Sequence, residues 1–377
     1  MKPSRPTPRV AFRVDADERL GAGSLVRCVA LAEALRRRGA QPHFIARRLP
    51  DAWAQWLHAR QLAYTDLGTP LATFEPAEGD APHAPWLGTS WAEDARQTRA
   101  ALGETGWDWL VVDHCALDAR WEQAMRPAAA RLMAIDDLGD RLHEADVLLE
   151  PGLRVATRVP GHARRWVGPR QALLREQFAV AHRQARLRQG PVQRVLVFFG
   201  GADTGKATGK VLRALDGMRR DGLGAFMVDA VVSALHPERE ALVDFCARRP
   251  GWACHVQTDR MADLMAAADL AVGAGGGTLW ERCAVGLPAV VVPKNPAQGV
   301  QVAAAAEAGL VCAPRVHGDG PEGWRAHIEA LWLDDVRRRQ MSAMALASVD
   351  GRGAERVARA MLQAPLGLRP QAERPTA

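Results

Sequence analysis

Short apolar runs alternate along the chain with longer amphipathic segments. Residues 9–14 are predicted to form a strand, and residues 25–38 a helix that ends at Gly39, because apolar positions recur there at helical spacing. The continuous apolar run at 109–112 is typical of a parallel strand that is covered on both faces. Further strands in this half are predicted at residues 42–46, 131–135 and 145–149.

The same alternation starts again after a stretch rich in Gln, Arg, Gly and Pro at residues 183–194. Strands are predicted in this second series at residues 195–199, 225–232, 254–256, 270–272 and 289–292. Strands that alternate with helices favour parallel sheets with right-handed crossovers. We therefore expect an α/β protein with two Rossmann-like, doubly wound domains, at 1–188 and 189–365, followed by a disordered tail at 366–377. Residues 68–90 hold several Pro and Gly and are predicted to form a loop.

Composition and charge narrow the class of protein. The chain has 377 residues, of which 48% are hydrophobic and 24% charged, so it can bury two ordinary cores. A net charge of +6 without a long run of like charges argues against a nucleic-acid partner and suits a small anionic ligand.

The spacing of the cysteines and the hydropathy of the chain indicate where in the cell the protein is expected. Six cysteines without a C-x-x-C pair indicate reduced thiols, neither a disulfide framework nor a zinc site. Residues 1–9 are polar and precede no signal-like apolar stretch, and no apolar run reaches the ~18 residues that span a bilayer. We expect a cytoplasmic protein without a membrane span, as a monomer or weak homo-oligomer.

Two turns of the N-terminal half carry candidate chemistry, since ligands of doubly wound folds bind at the carboxyl ends of strands. The first runs from Asp15 through Gly21 and Gly23 to Ser24, where glycines let backbone N–H groups approach an anion. It does not complete G-x-G-x-x-G, so a dinucleotide site is disfavoured, and a tight strand–helix turn is the alternative. The second places Asp113 and His114 at a strand end, an arrangement that is more often structural.

Two turns of the C-terminal half follow buried strands. In the first, Gly200 and Gly201 could face phosphate, whereas Asp203 or Thr204 could simply cap the next helix. The second turn holds four glycines within residues 273–277 and favours phosphate binding over a plain hinge. Glu281, about one helical turn later, could accept hydrogen bonds from ribose hydroxyls.

A series of segments in fixed order along most of the chain carries a family resemblance: residues 12–32, 112–114, 135–137, 173–178, 199–203, 261–269, 277–281, 286–288 and 350–354. Together they resemble one enzyme family, the UDP-2,4-diacetamido-2,4,6-trideoxy-β-L-altropyranose hydrolases of pseudaminic acid biosynthesis. That family is in turn similar to the GT-B transferases that add N-acetylglucosamine to lipid-linked peptidoglycan precursors. The resemblance implies a GT-B-like fold and an inverting attack of water on a UDP-sugar without metal or cofactor.

The resemblance also implies a set of site residues. Candidate catalytic residues are Asp15, Ser24, Asp113 and His114. Candidate substrate-binding residues are Gly21, Gly23, Arg27, Gly200, Gly201, Asp203, Gly277, Thr278, Glu281, Asn295 and Gln298. The family has a histidine after the second glycine of the first turn, proposed to activate water, where this chain has Ser24. A serine hydroxyl cannot act as a base near neutral pH, so His114, Asp15 or Asp17 would have to supply one.

The missing histidine leaves other activities open. The first alternative is a glycosyltransferase in which an alcohol acceptor replaces water. The second is a protein that binds a sugar nucleotide without turning it over. An NAD-dependent dehydrogenase is disfavoured by the broken glycine fingerprint.

Overall fold

The computed structural model describes residues 7–17, 19–68, 74–104, 106–153, 163–200, 203, 205–234, 236–314 and 320–363. Gly201, Thr204 and the tail expected at 366–377 lie outside these ranges. The strands are β1 Arg9–Val14, β2 Gln41–Ala46, β3 Ala63–Asp66, β4 Trp107–Asp113, β5 Ala129–Ile135, β6 Val147–Glu150, β7 Arg164–Val167, β8 Arg194–Phe198, β9 Met227–Val232, β10 Trp252–Val256, β11 Leu270–Ala274 and β12 Ala289–Val292.

Helices connect nearly all of these strands. They are α1 Gly23–Arg36, α2 Asp51–Ala59, α3 Trp91–Leu102, α4 Ala119–Met125, α5 Glu176–Arg183, α6 Ala207–Arg220, α7 Arg239–Ala247, α8 Met261–Ala267, α9 Gly277–Ala284, α10 Pro296–Glu307, α11 Pro321–Leu333, α12 Asp335–Ser348 and α13 Gly353–Gln363. Two short 3₁₀ turns, Ala84–Trp86 and Pro169–Gln171, complete the described elements. No helix in the described ranges is both long and apolar enough to cross a bilayer.

Two parallel sheets form the framework. The first has seven strands in the order β3-β2-β1-β4-β5-β6-β7, and the second has five in the order β10-β9-β8-β11-β12. Every strand predicted from the apolar runs is present, with ends shifted by a few residues. The short edge strands β3 and β7 were not predicted, because their half-exposed sequences lack the continuous apolar run of a central strand.

Apolar side chains pack on both faces of each sheet. Val10, Phe12 and Val111 belong to one cluster of the first sheet, and Ala11 and Leu110 to the cluster on its other face. This alternation follows from the two-residue period of a strand.

Two segments cross the boundary expected at residue 188. Phe178 of α5 packs into the core of the second sheet, although it precedes that boundary. Helix α13 returns to the first sheet, where Val357 and Met361 join the cluster around α1. Gly353 permits the return, because a Cβ there would lie 2.1 Å from the backbone oxygen of Ala172. The division at residue 188 stays a prediction.

Candidate functional site

A cleft lies between the carboxyl ends of the two sheets and is lined by residues from both. In each sheet the strand order reverses beside one strand pair, β1 with β4 and β8 with β11. Loops that leave such a pair diverge to opposite faces and open a crevice. The segments after β1, β4 and β11 accordingly bring Ser24, His114 and Gly277 into the lining of the same cleft.

The turn after β1 is held by its own backbone and by one carboxylate. Asp17 accepts hydrogen bonds from the backbone N–H groups of Arg19 (2.8 Å) and Leu20 (2.7 Å). Gly21 has a φ of 74°, a conformation that favours glycine. Gly23 and Ser24 line the cleft at the start of α1, whereas Gly21 is not part of that lining. Asp17 thus shapes the turn rather than serving as a base.

The start of α1 has no side-chain cap. The residue at its N-cap is Ala22, which offers no oxygen to the N–H groups of the first turn. Such groups are unsatisfied within the helix and carry partial positive charge. The helix therefore presents an anion-attracting end to the cleft.

Asp15 lines the cleft and belongs to a buried ion-pair network. Its carboxylate lies 2.5 Å from Arg13, which also pairs with Asp94 at 2.7 Å, and Asp94 pairs with Arg47 at 3.1 Å. Burial would raise the pKa of Asp15, but Arg13 and His114 hold it well below its usual range. A carboxylate this strongly stabilised accepts hydrogen bonds and is a poor proton acceptor.

His114 is held by a hydrogen bond at Nδ1, whereas its buried Nε2 makes no hydrogen bond within the described residues. The backbone N–H of Ala116 donates to Nδ1 at 3.1 Å, and Nε2 lies 3.3 Å from the Asp15 carboxylate. The side chain is 1% exposed. Because the Nδ1 lone pair is already used, the Nε2 proton faces Asp15 and no free lone pair points to water. This geometry favours a positioning role for His114 over the role of base.

Arg27 links two carboxylates on the cleft wall. Its guanidinium binds Asp113 at 2.6 and 2.7 Å and also contacts Asp137. The enclosure of Asp137 raises its pKa, Arg27 opposes that rise and Asp113 adds to it. Arg27 and Asp113 thus form a bidentate pair, and Asp137 is the less strongly bound of the two carboxylates.

The glycines after β11 divide between packing and the cleft. A Cβ on Gly273 would lie 2.1 Å from the Phe198 carbonyl oxygen, and one on Gly275 would lie 2.6 Å from Val302. Gly276 has a φ of 82°, and Gly277 has no heavy atom within 4 Å of its would-be Cβ. Packing and turn geometry therefore explain three of the four glycines, and Gly277 remains open to the cleft.

Helix α9 begins at this open glycine. Its N-cap is Gly276, so its first turn, like that of α1, has no side-chain cap. The Thr278 hydroxyl is 3.5 Å from the carbonyl oxygens of Ala274 and Gly275, to which it donates, and is not part of the cleft lining. Two uncapped helix starts, one from each sheet, therefore line one cleft.

Glu281 is buried one turn further along α9. Its carboxylate accepts a hydrogen bond from Arg175 at 3.2 Å. Burial raises its pKa, and Arg175 opposes that rise. Glu281 is not among the residues that line the cleft.

The start of α10 contributes amide side chains. Asn295 caps the helix by accepting from the backbone N–H of Gln298 at 2.9 Å, and Gln298 accepts from that of Lys294 at 3.0 Å. Both amides line the cleft. Gln301 crosses to the other sheet, where it donates to the Asp137 carbonyl oxygen at 3.1 Å.

The turn after β8 differs from its expected role. Asp203 is buried and accepts from the backbone N–H groups of Ala207 (3.0 Å) and Thr208 (2.9 Å), and it pairs with His236. It therefore caps α6, because its oxygens already have partners. A Cβ on Gly200 would lie 3.8 Å from the ammonium of Lys294, which brings a cation to this turn.

Sequence reasoning missed several cleft residues. His83, Trp86, Arg141 and Trp280 all line the cleft, as do Asp137 and Gln301. His83 and Trp86 come from the loop predicted at 68–90, where a histidine and a tryptophan in a Pro-rich stretch were the available signal.

Comparison with known proteins gives partial matches in sequence. Residues 256–316 match the family model for the Glycosyltransferase family 28 C-terminal domain. The chain is 31% identical over 142 residues to Spore coat polysaccharide biosynthesis protein SpsG of Bacillus subtilis, covering 37% of this chain and 40% of that protein. It is 28% identical over 136 residues to the uncharacterized protein MJ1062 of Methanocaldococcus jannaschii, covering 35% of this chain and 27% of that protein. The chain thus spans less than half the length of either relative.

Solved structures match over nearly the whole chain. MurG of Acinetobacter baumannii superposes with a TM-score of 0.61 at 15% identity, covering 94% of this chain and 99% of its own. The calicheamicin glycosyltransferase CalG4 gives a TM-score of 0.60 at 15% identity, with 96% of this chain and 100% of that chain covered. At these identities the likeness concerns the fold. The two parallel Rossmann-like sheets and these neighbours fit the GT-B fold.

Proposed function

We propose that the chain binds a UDP-sugar in the cleft and hydrolyses the bond between the sugar and UDP. The observation that carries the proposal is the pair of uncapped helix starts, α1 and α9, that line one cleft. Backbone N–H groups at helix starts bind phosphate well. A structure of MnaA of S. aureus with UDP, which superposes with a TM-score of 0.59 at 11% identity over 94% of this chain, supports UDP as the nucleotide.

The diphosphate would bind at the second sheet. Gly277 and Thr278 offer backbone N–H groups, and Lys294 adds a positive charge beside Gly200. Burial lowers the pKa of Lys294 and Asp203 opposes that fall, so an arriving diphosphate would favour its charged form further. Glu281 would hold the ribose, and Asn295 and Gln298 would reach the sugar or the diphosphate.

The reaction would be an inverting attack of water at the anomeric carbon. The water oxygen forms the new bond, the bond from that carbon to UDP breaks, and its electron pair leaves on the β-phosphate oxygen. UDP is a good leaving group, so stabilising its charge and activating one water are the main tasks. The sequence resemblance supports a 2,4-diacetamido-2,4,6-trideoxy hexose as the sugar, and the name of SpsG supports polysaccharide biosynthesis as the setting.

One assay separates this proposal from its rivals. UDP release from a panel of UDP-sugars is followed by NMR, with UDP affinity measured in parallel by calorimetry. Hydrolysis gives free sugar and UDP without any acceptor. Release that requires an added alcohol would identify a transferase, and tight binding without release would identify a binding protein.

A further inference from the structure

The cleft holds a histidine that the sequence resemblance does not predict. Among the histidines of the described ranges, His83 and His114 line the cleft. Both ring nitrogens of His114 face protein partners, as described above. His83 is different: its Nε2 lies 3.2 Å from the Asp140 carboxylate, and its side chain is 21% exposed.

The surroundings of His83 fix its ring. Its centroid lies 4.6 Å from that of Trp86, three residues later along the 3₁₀ turn. Asp140 is held in turn by Arg141 at 3.1 Å, and Arg141 also pairs with Asp136 at 2.9 Å. The Asp140 carboxylate beside Nε2 favours the tautomer that carries its proton on Nε2, which leaves the lone pair of His83 on Nδ1. No hydrogen-bond partner of Nδ1 is found within the described ranges.

We propose that His83 is the general base of this cleft, with Asp140 as the residue that orients it. The inference rests on the proposed hydrolysis and supplies the base that Ser24 cannot be. As the water oxygen bonds to the anomeric carbon, the water proton passes to Nδ1 of His83. Asp140 faces the imidazolium that forms, and the electron pair of the broken bond leaves with UDP.

Other titratable groups share this part of the cleft. Arg141 pairs with Asp140, and Cys115 lines the cleft with a pKa that burial raises to about 12. Asp137 is the rival base, because its raised pKa and cleft position also suit proton transfer. The test must therefore compare the two side chains.

The decisive variant is His83→Gln, whose amide nitrogen can stay beside Asp140 while its side chain cannot take a proton. We expect kcat for UDP release to fall about 10²–10⁴-fold, with calorimetric affinity for UDP unchanged. The acidic limb of the pH–rate profile should disappear. Asp140→Asn should lower kcat less, and His58→Gln, an exposed histidine of α2, is the matched control that should retain the parental rate.

Three outcomes overturn the inference, and they are distinguishable. If His83→Gln keeps the parental rate and pH profile, His83 is not the base, and the proposed hydrolysis is unaffected. A larger loss in Asp137→Asn, together with a retained acidic limb in His83→Gln, would transfer the role to Asp137. Absence of UDP binding, or binding without release from any sugar, would instead refute the proposed hydrolysis, and the base with it. Melting temperatures of all variants confirm that each is folded.

Discussion

Ion pairs decide which charged side chains of the cleft are free for chemistry. Asp15 and Asp113 stand at the strand ends where a base was expected, yet each is bound by an arginine, Arg13 or Arg27. Removing one partner of a buried pair leaves an uncompensated charge and is strongly destabilising. Substitutions of these two carboxylates would therefore report on folding before they report on catalysis.

Glu281 gives a test of nucleotide binding at the scale of one residue. We expect Glu281→Ala to weaken UDP binding by about 1.5–3 kcal/mol, the usual contribution of hydrogen bonds to a charged group. Calorimetry measures it, with Arg175→Ala as the control for loss of the ion pair alone. UDP affinity equal to that of the parent would rule out the ribose role.

The raised pKa of His143 predicts how the free energy of unfolding changes with pH. It lies between Glu122 (2.6 Å) and Asp136 (3.2 Å), and although burial would lower its pKa, these carboxylates raise it to about 9. A raised pKa contributes stability that is complete below the unfolded value of ~6.5 and is lost as pH rises through the folded one.

We therefore expect the free energy of unfolding to fall by up to about 3 kcal/mol between about pH 6 and pH 10. Urea titrations at the two pH values measure it. His143→Gln should be less stable at the lower pH but lose much less on going to the higher one. An equal loss in parent and variant would show that other groups cause the pH dependence.

At the scale of elements, the glycine-rich turn after β11 combines two functions. Gly273 and Gly275 let β11 approach β8 and α10, whereas Gly277 opens the start of α9 to the cleft. The glycine content of this turn predicts a phosphate-binding loop, but close packing accounts for two of its four glycines. Glycine composition alone does not separate these causes.

A matched pair of substitutions separates them. Gly273→Ala should destabilise the fold by about 1–3 kcal/mol or more, because its Cβ meets a backbone oxygen that cannot move aside. Gly277→Ala should leave the melting temperature unchanged and weaken UDP binding, because its methyl group enters the space before the helix start. Thermal melts measure the stability of both variants, and calorimetry measures their affinity for UDP. A stable Gly273→Ala, or a Gly277→Ala that binds UDP normally, would contradict this division.

At the scale of the whole molecule, contacts between residues far apart in the chain tie the two sheets together. Gln301 of α10 donates to Asp137 beside the first sheet, and α13 returns to pack on α1. Gly351 and Gly353 permit this return, since a Cβ on either would lie within 3 Å of backbone atoms near α5 or the second 3₁₀ turn. The motif at 350–354 therefore has a packing explanation.

The assembled cleft also predicts metal-independent binding of UDP. Two helix starts and Lys294 can neutralise a diphosphate. The Asp15-Ala16-Asp17 segment resembles a metal-binding pair, but Asp15 is bound to Arg13, and Asp17 accepts from the backbone of its own turn. Calorimetry should give the same UDP affinity with and without EDTA. A large loss on chelation would refute the prediction.

The sequence by itself determined the framework of this protein. Buried parallel strands require continuous apolar runs, so the central strands and the two-domain α/β architecture could be read directly. Turn residues at strand ends indicated Ser24, Gly277, Asn295 and Gln298 as cleft residues, which the structure brings together. Edge strands carry weaker patterns, and β3 and β7 were missed.

Tertiary structure alone decided which side chains are free to act. Contacts over long sequence distances hold His114 beside Asp15 and Asp203 beside His236, and no local pattern encodes such contacts. The same long-range packing placed His83, from a loop without periodicity, beside Asp140 in the cleft. The pattern of apolar and polar residues determines where strands end. Whether a side chain in the cleft can take part in chemistry depends also on the distant residues that fold against it.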